Sequence, residues 1–166
     1  MDHPVLMKTL LAPLLAVLCV SVVSAQDAPV DWQTLATEFS ADAAAAGAKY
    51  QGRMLTVTGP VSSIAQGDMT LEGTPAVAVV LSTADGAGPD VKCLFEQEDL
   101  EPGQQLFVPG DNSEVILRTT DDAGQVTGSR PLVQTGQQIV VTGTFVNFDA
   151  GDIVLRHARL AGGSSP

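Results

Sequence analysis

Cysteine, histidine, aromatic residues and positive charge are all scarce in this 166-residue sequence, and each shortage removes a class of chemistry. The cysteines are Cys19 and Cys93, and the histidines are His3 and His157. Cys19 and His3 fall in a leader-like N-terminal segment, which leaves the body of the chain one residue of each type. Cys93 then has no partner for an intramolecular disulfide, and metal sites built on clustered His and Cys are not available. Aromatic residues make up 4% of the chain. Trp32 and Phe39 read as helix-docking residues, while Tyr50, Phe95, Phe107, Phe145 and Phe148 are too dispersed for a stacking platform. Eight basic residues stand against 19 acidic ones, for a formal net charge of -11. With no basic stripe to neutralise phosphates, no nucleic acid is expected as a partner.

The N-terminal segment carries Lys8, an apolar run from Leu10 to Val23 and a small-residue ending at Ser24 and Ala25. This is the layout of a cleavable signal peptide over residues 1–25, with Ala25 as its end and Gln26 as the mature start. The run is about 14 residues, too short to cross a bilayer comfortably, and Pro13 interrupts it. Leu18 stands before Cys19 where a lipoprotein signal needs a small residue. No permanent membrane anchor is therefore expected, and the periplasm or the extracellular space is the expected location. Residues 26–166 suit one domain. Removing Lys8 and Asp2 leaves its net charge at -11.

Alanine density and the Leu35/Phe39 spacing predict a helix over residues 30–49, capped by Asp31, with Gly47 at its end. Beyond Arg53 the pattern becomes short Val/Thr/Ile/Leu stretches separated by Gly, Asp and Pro. Strands are predicted at 54–64, 69–72, 76–82, 91–95, 138–148 and 153–160. Gly67-Asp68 and residues 149–152 read as tight reversals, and residues 96–102 as a short helical turn. Residues 113–132, folded about Asp121-Asp122-Ala123-Gly124 and bounded by Pro109-Gly110 and Arg130-Pro131, read as an inserted β-hairpin arm projecting from the body.

Residues 52–59 and 136–143 share a glycine, four residues and then Val-Thr-Gly. Gly59 and Gly143 sit where long strands of a small barrel have to bend, so both are read as structural bend glycines. A long first strand and a helical connection after the third match the OB-fold plan. The segment from Ala45 to Tyr50 with Gly52, the strand Val57-Thr58-Gly59-Pro60-Val61, Ile64, the strand Val91-Lys92-Cys93-Leu94-Phe95 and residues 136–143 resemble the tRNA_anti-like family of bacterial OB-fold domains. The expected fold is mainly β, a five-stranded OB-fold barrel with an N-terminal helix and the inserted arm. The resemblance carries no catalytic residues.

Among single residues, Cys93 reads as a buried hydrophobe in an apolar strand. Alternation sets Ile153, Leu155, His157 and Arg159 on one face of the last strand and Val154, Arg156 and Ala158 on the other, with His157 at the rim. Glu96, Glu98, Asp99 and Glu101 read as a solvated acidic turn, Asp121 and Asp122 as the arm's tip, and Asp149 and Asp152 as hairpin residues. No catalytic, cofactor or metal site is expected. The expected function is a non-enzymatic binding or interaction module of the bacterial cell envelope, with a protein or small ligand as partner. The alternative is a cation-responsive protein whose surface carboxylates take divalent metals, polyamines or basic peptides.

Overall fold

The computed structural model describes residues 28–69, 73, 75–82 and 88–162. The predicted leader, with Cys19 and Ala25, lies outside them. The chain runs β1 (Val30–Asp31), α1 (Trp32–Ala41), α2 (Ala43–Tyr50), β2 (Met54–Met69), β3 (Pro75–Leu81) and β4 (Asp90–Glu96). A 3-10 turn (Gln97–Asp99) follows, then β5 (Gln104–Phe107), β6 (Glu114–Thr120), β7 (Val126–Gln134), β8 (Gln138–Asp149) and β9 (Asp152–Leu160). The fold is mainly β with two helices, consistent with an OB-like domain. In place of five strands and a hairpin there are a six-stranded sheet, ordered β1-β2-β3-β4-β9-β8 with β8 also paired to β2, and a three-stranded sheet, β5-β6-β7.

The predicted single helix is two. Asp42 closes α1, with its N–H donating to the Glu38 carbonyl, and opens α2, its carboxylate accepting from Ala45 N–H at 2.9 Å. An Asp side chain competing for the backbone breaks an alanine-rich run that propensity alone would continue. Asp31 does cap α1, accepting from Gln33 N–H at 2.9 Å. Gly47 lies inside α2 rather than at its end.

Gly67-Asp68 is not a reversal. Strand β2 runs through to Met69 against β3, with a register shift between Gln66 and Asp68 that marks a bulge at the glycine. The separate strand predicted at 69–72 thus begins inside β2, and 70–72 fall outside the described residues. The reversal at 149–152 is present: Asp149 pairs with Asp152 across Ala150 (φ 50°) and Gly151 (φ 97°), the two left-handed residues of a type I′ hairpin.

The arm is larger than predicted and does not project freely. Strand β5 joins it, and Arg130 and Pro131 lie within β7 instead of ending the arm. Val108, Val115 and Val133 are buried in the main core, with Leu106 and Leu132 packed against it. The arm therefore covers apolar surface of the six-stranded sheet that would otherwise face water. Its tip is as expected, with Asp121 accepting from Ala123 N–H at 3.0 Å and Gln125 N–H at 2.8 Å.

Three of the aromatics expected to be dispersed, Tyr50, Phe145 and Phe148, are gathered around Phe39. Phe39 lies 6.2, 5.5 and 5.1 Å, centroid to centroid, from Tyr50, Phe145 and Phe148, so four rings from the helices and β8 form one cluster inside the fold. Trp32 is carried to β2 by the parallel pairing of Val30 with Val57 and Asp31 with Thr58. Its indole lies on Gly59, where an added Cβ would stand 2.5 Å from Trp32 Cδ1. Gly59→Ala is expected to lift Trp32 off the sheet at a cost of about 1–3 kcal/mol. Because Trp32 is the chain's single tryptophan, a red-shifted emission together with a lowered Tm checks this, and unchanged emission contradicts it.

Candidate functional site

The region where the six-stranded sheet meets the arm is organised by an irregularity in β9. Thr142 pairs with Arg159 and Thr144 with Arg156, so His157 and Ala158 together oppose the single residue Gly143. This is a β-bulge, and His157 takes φ 51° to make it. Gly143 leaves room for it: a Cβ there would be 3.1 Å from the Arg156 carbonyl oxygen and 3.2 Å from Leu155 Cβ. The bulge changes the strand's alternation. Ala158, not His157, joins Ile153 and Leu155 in the core, while His157 and Arg159 are exposed.

The bulge also turns the His157 N–H toward Glu96. Parallel pairing of β4 with β9 extends from Asp90/Asp152 to Cys93/Leu155. Beyond it the Glu96 side chain makes the link. Glu96 is 1% exposed; its Oε1 accepts from Arg156 Nε at 2.7 Å and from His157 N–H at 3.2 Å, and its Oε2 from Arg156 Nη2 at 2.8 Å. The Arg156 hydrogen bonds, opposed by burial and aided by the His157 N–H, hold the Glu96 carboxyl below the usual carboxylate range.

A second link comes from the 3-10 turn. Asp99 meets His157 Nδ1 at 3.1 Å through Oδ2 and accepts from Arg159 Nη2 at 3.1 Å through Oδ1. The predicted solvated acidic turn is thus divided. Glu96 ends β4 as a buried ion-paired residue, Asp99 is paired and mostly covered, and Glu98 is exposed. Ligand atoms of Glu96, Glu98 and His157 lie within 4.8 Å of one another, but both Glu96 oxygens already accept from Arg156. Gln97 extends the lacing to the arm by donating to the Gln104 carbonyl at 2.6 Å and accepting from Leu106 N–H at 3.3 Å.

Above this network the two sheets leave a cleft of about 260 Å³. Leu106, Leu117 and Leu132 of the arm form one wall, and Leu160 with Arg159 forms the opposite one. Cross-strand register puts Leu106, Leu117 and Arg130 side by side in one row of the arm. Sequence reasoning did not find Arg130 or these leucines, since only the pairing of three strands assembles them. A smaller cleft of about 150 Å³ lies on the other side of Phe95 and Leu106.

The remaining candidates lie away from this region. Cys93 is wholly buried, and desolvation pushes its thiol up to about 12. Asp149 and Asp152 belong to their hairpin, and Asp121 to its turn. Alkylation of Cys93 at neutral pH is expected to be undetectable in the folded protein and rapid in denaturant, which mass spectrometry reads directly.

Replacing Arg156 by Met strands a buried carboxylate and is expected to cost about 3–5 kcal/mol at neutral pH. In the wild type the lowered value of Glu96 contributes stability above the ordinary glutamate pKa of about 4.3, and that contribution is lost as the pH falls through the lowered value. The deficit of Arg156→Met should therefore shrink on acidification, as the stranded carboxylate takes up a proton. Paired denaturant melts across that range test it, and a pH-independent deficit would contradict it.

No curated protein matches the chain. Among solved structures, a Klebsiella pneumoniae protein described as a "putative nucleic acid-binding lipoprotein" is similar, with a TM-score of 0.50 at 12% identity, over 80% of this chain and 92% of that one. This corrects the partner expectation: a chain of the same fold is described both as nucleic acid-binding and as a lipoprotein, so excluding nucleic acid and a membrane anchor does not stand. Among the described residues no helix is long and apolar enough to cross a membrane. The tRNA_anti-like family model matches residues 16–159, nearly the whole length over which these elements are laid out, and the chain belongs to that family.

Proposed function

We propose that the chain is an exported, non-enzymatic binding module of the bacterial cell envelope, and that its binding surface is the cleft between barrel and arm. The observation that carries this reading is the construction of the cleft. Three half-buried leucines, Leu106, Leu132 and Leu160, come from three different strands to line it, and the network of Glu96, Arg156, His157, Asp99 and Arg159 fixes the wall opposite the arm. A concave surface with an apolar floor, a few convergent polar groups and a rigid surround is how small-ligand sites are built.

The pairing sequence supports the finer fold reading. Strands β2, β3, β4, β9 and β8 pair in that order and β8 returns to β2, with β4 and β9 parallel; this is the pairing expected of a five-stranded OB barrel with the arm inserted between its third and fourth strands. The leader pattern and the lipoprotein description of the structural neighbour support export. A non-enzymatic role is supported by the burial of the thiol and by the engagement of His157 with Asp99.

The test is a backbone-amide NMR screen of the folded protein against small-molecule fractions of an envelope extract and against a single-stranded oligonucleotide, the latter because of the neighbour's description. Saturable shifts clustered on Leu106, Leu117, Leu132 and Arg159, abolished by Leu132→Asp, are the expected outcome. Shifts confined to the outward face of β3 and β4 would move the binding surface and overturn the assignment.

A further inference from the structure

We propose that the barrel–arm cleft takes a small amphipathic carboxylate, with its alkyl part against the leucines and its head group between Arg130 and Arg159. The proposal rests on the cleft being the binding surface, and it adds what that surface selects.

Basic residues are few here, and most of those described are already engaged. Lys49 is held by Glu38 at 2.7 Å, Arg156 by Glu96, and Arg118 lies 3.3 Å from the Phe107 ring centroid. Arg130 differs. Among the described residues its side chain makes no hydrogen bond or ion pair, and it ends the row that starts with Leu106 and Leu117. An exposed guanidinium at the end of an apolar row is the complement of an anion with an apolar tail. Arg159, on the opposite wall, is 68% exposed and commits one nitrogen to Asp99, which leaves donors for a second acceptor.

Size and charge narrow the class further. The volume of about 260 Å³ falls below that of drug-sized sites and suits a short chain. A guanidinium fork matches the two oxygens of a carboxylate, so orientation is set along with charge. Glu101 also lines the cleft and has no side-chain partner among the described residues. Its charge, with that of Asp99, penalises a doubly charged phosphate head more than a singly charged carboxylate.

Octanoate, octylamine and octanol, titrated into the folded full chain by calorimetry and followed by amide NMR, provide the test. Octanoate is expected to bind saturably with shifts at Leu106, Leu117 and Leu132, and octanol and octylamine at least about tenfold more weakly. Arg130→Gln and Arg159→Gln should each weaken octanoate about tenfold without altering Tm beyond a few degrees, and Glu101→Gln should tighten it about twofold. Octanoate binding indifferent to both arginine substitutions, or a preference for octylamine, overturns the proposal. If no octyl compound binds while the extract screen still maps to the cleft, the carboxylate assignment falls and the binding surface stands. If neither maps there, both fall.

Discussion

One buried carboxylate links the parts of this molecule. Strand β4 ends at Glu96, where its ladder with β9 has already stopped and the chain is about to leave the six-stranded sheet for the arm. Glu96 spans that gap by accepting two hydrogen bonds from the Arg156 side chain and one from the His157 backbone. The N–H released by the bulge would otherwise be a donor without a partner in the sheet, and the carboxylate would be a buried charge without a counterion. Each resolves the other's cost. An ion pair of this kind adds little net stability against a well-packed apolar pair, but losing one member is expensive, so it holds the local geometry more than it deepens the fold.

The position of the arm follows from that linkage. Asp99 and Gln97, directly after Glu96, tie the turn to β9 on one side and to β5 on the other. The arm returns to the six-stranded sheet through Gly136 N–H on the Val61 carbonyl at 2.8 Å and Val61 N–H on the Gln137 carbonyl at 2.9 Å. Both ends are thus pinned to different parts of the six-stranded sheet, and the arm's apolar face is pressed against it. The cleft is what remains where arm and β9 diverge.

Features governed by neighbouring residues could be read from the sequence. The Asp31 cap, the hairpin at 149–152, the Asp121 turn and the burial of Cys93 all follow from local chemistry or from a strand's apolar pattern. The break at Asp42 had a local signal too, an Asp three residues ahead of an alanine N–H, but it was masked by the helix propensity around it. Strand β5 is four residues long and half polar, so it gives no periodic signal and exists because β6 pairs with it. Arg156 and Glu96 stand 60 residues apart. No spacing rule connects them, and an acidic run read in isolation appears solvated. Gly143 was legible as a special position, whereas the two residues that crowd opposite it were not.

Side chains along a strand obey a parity, and β9 changes parity partway. Before His157, odd-numbered residues face the core; after it, even-numbered ones do, and this is why Arg159 faces outward while Ala158 is buried. The end of the strand that lines the cleft is therefore written in a different reading phase from the end that fills the main core. Loss of the single residue His157 at the bulge would return β9 to one phase. The alanine would then follow Arg156 directly, still facing the core with Arg159 still facing outward, and the His157 N–H that reaches Glu96 would be gone.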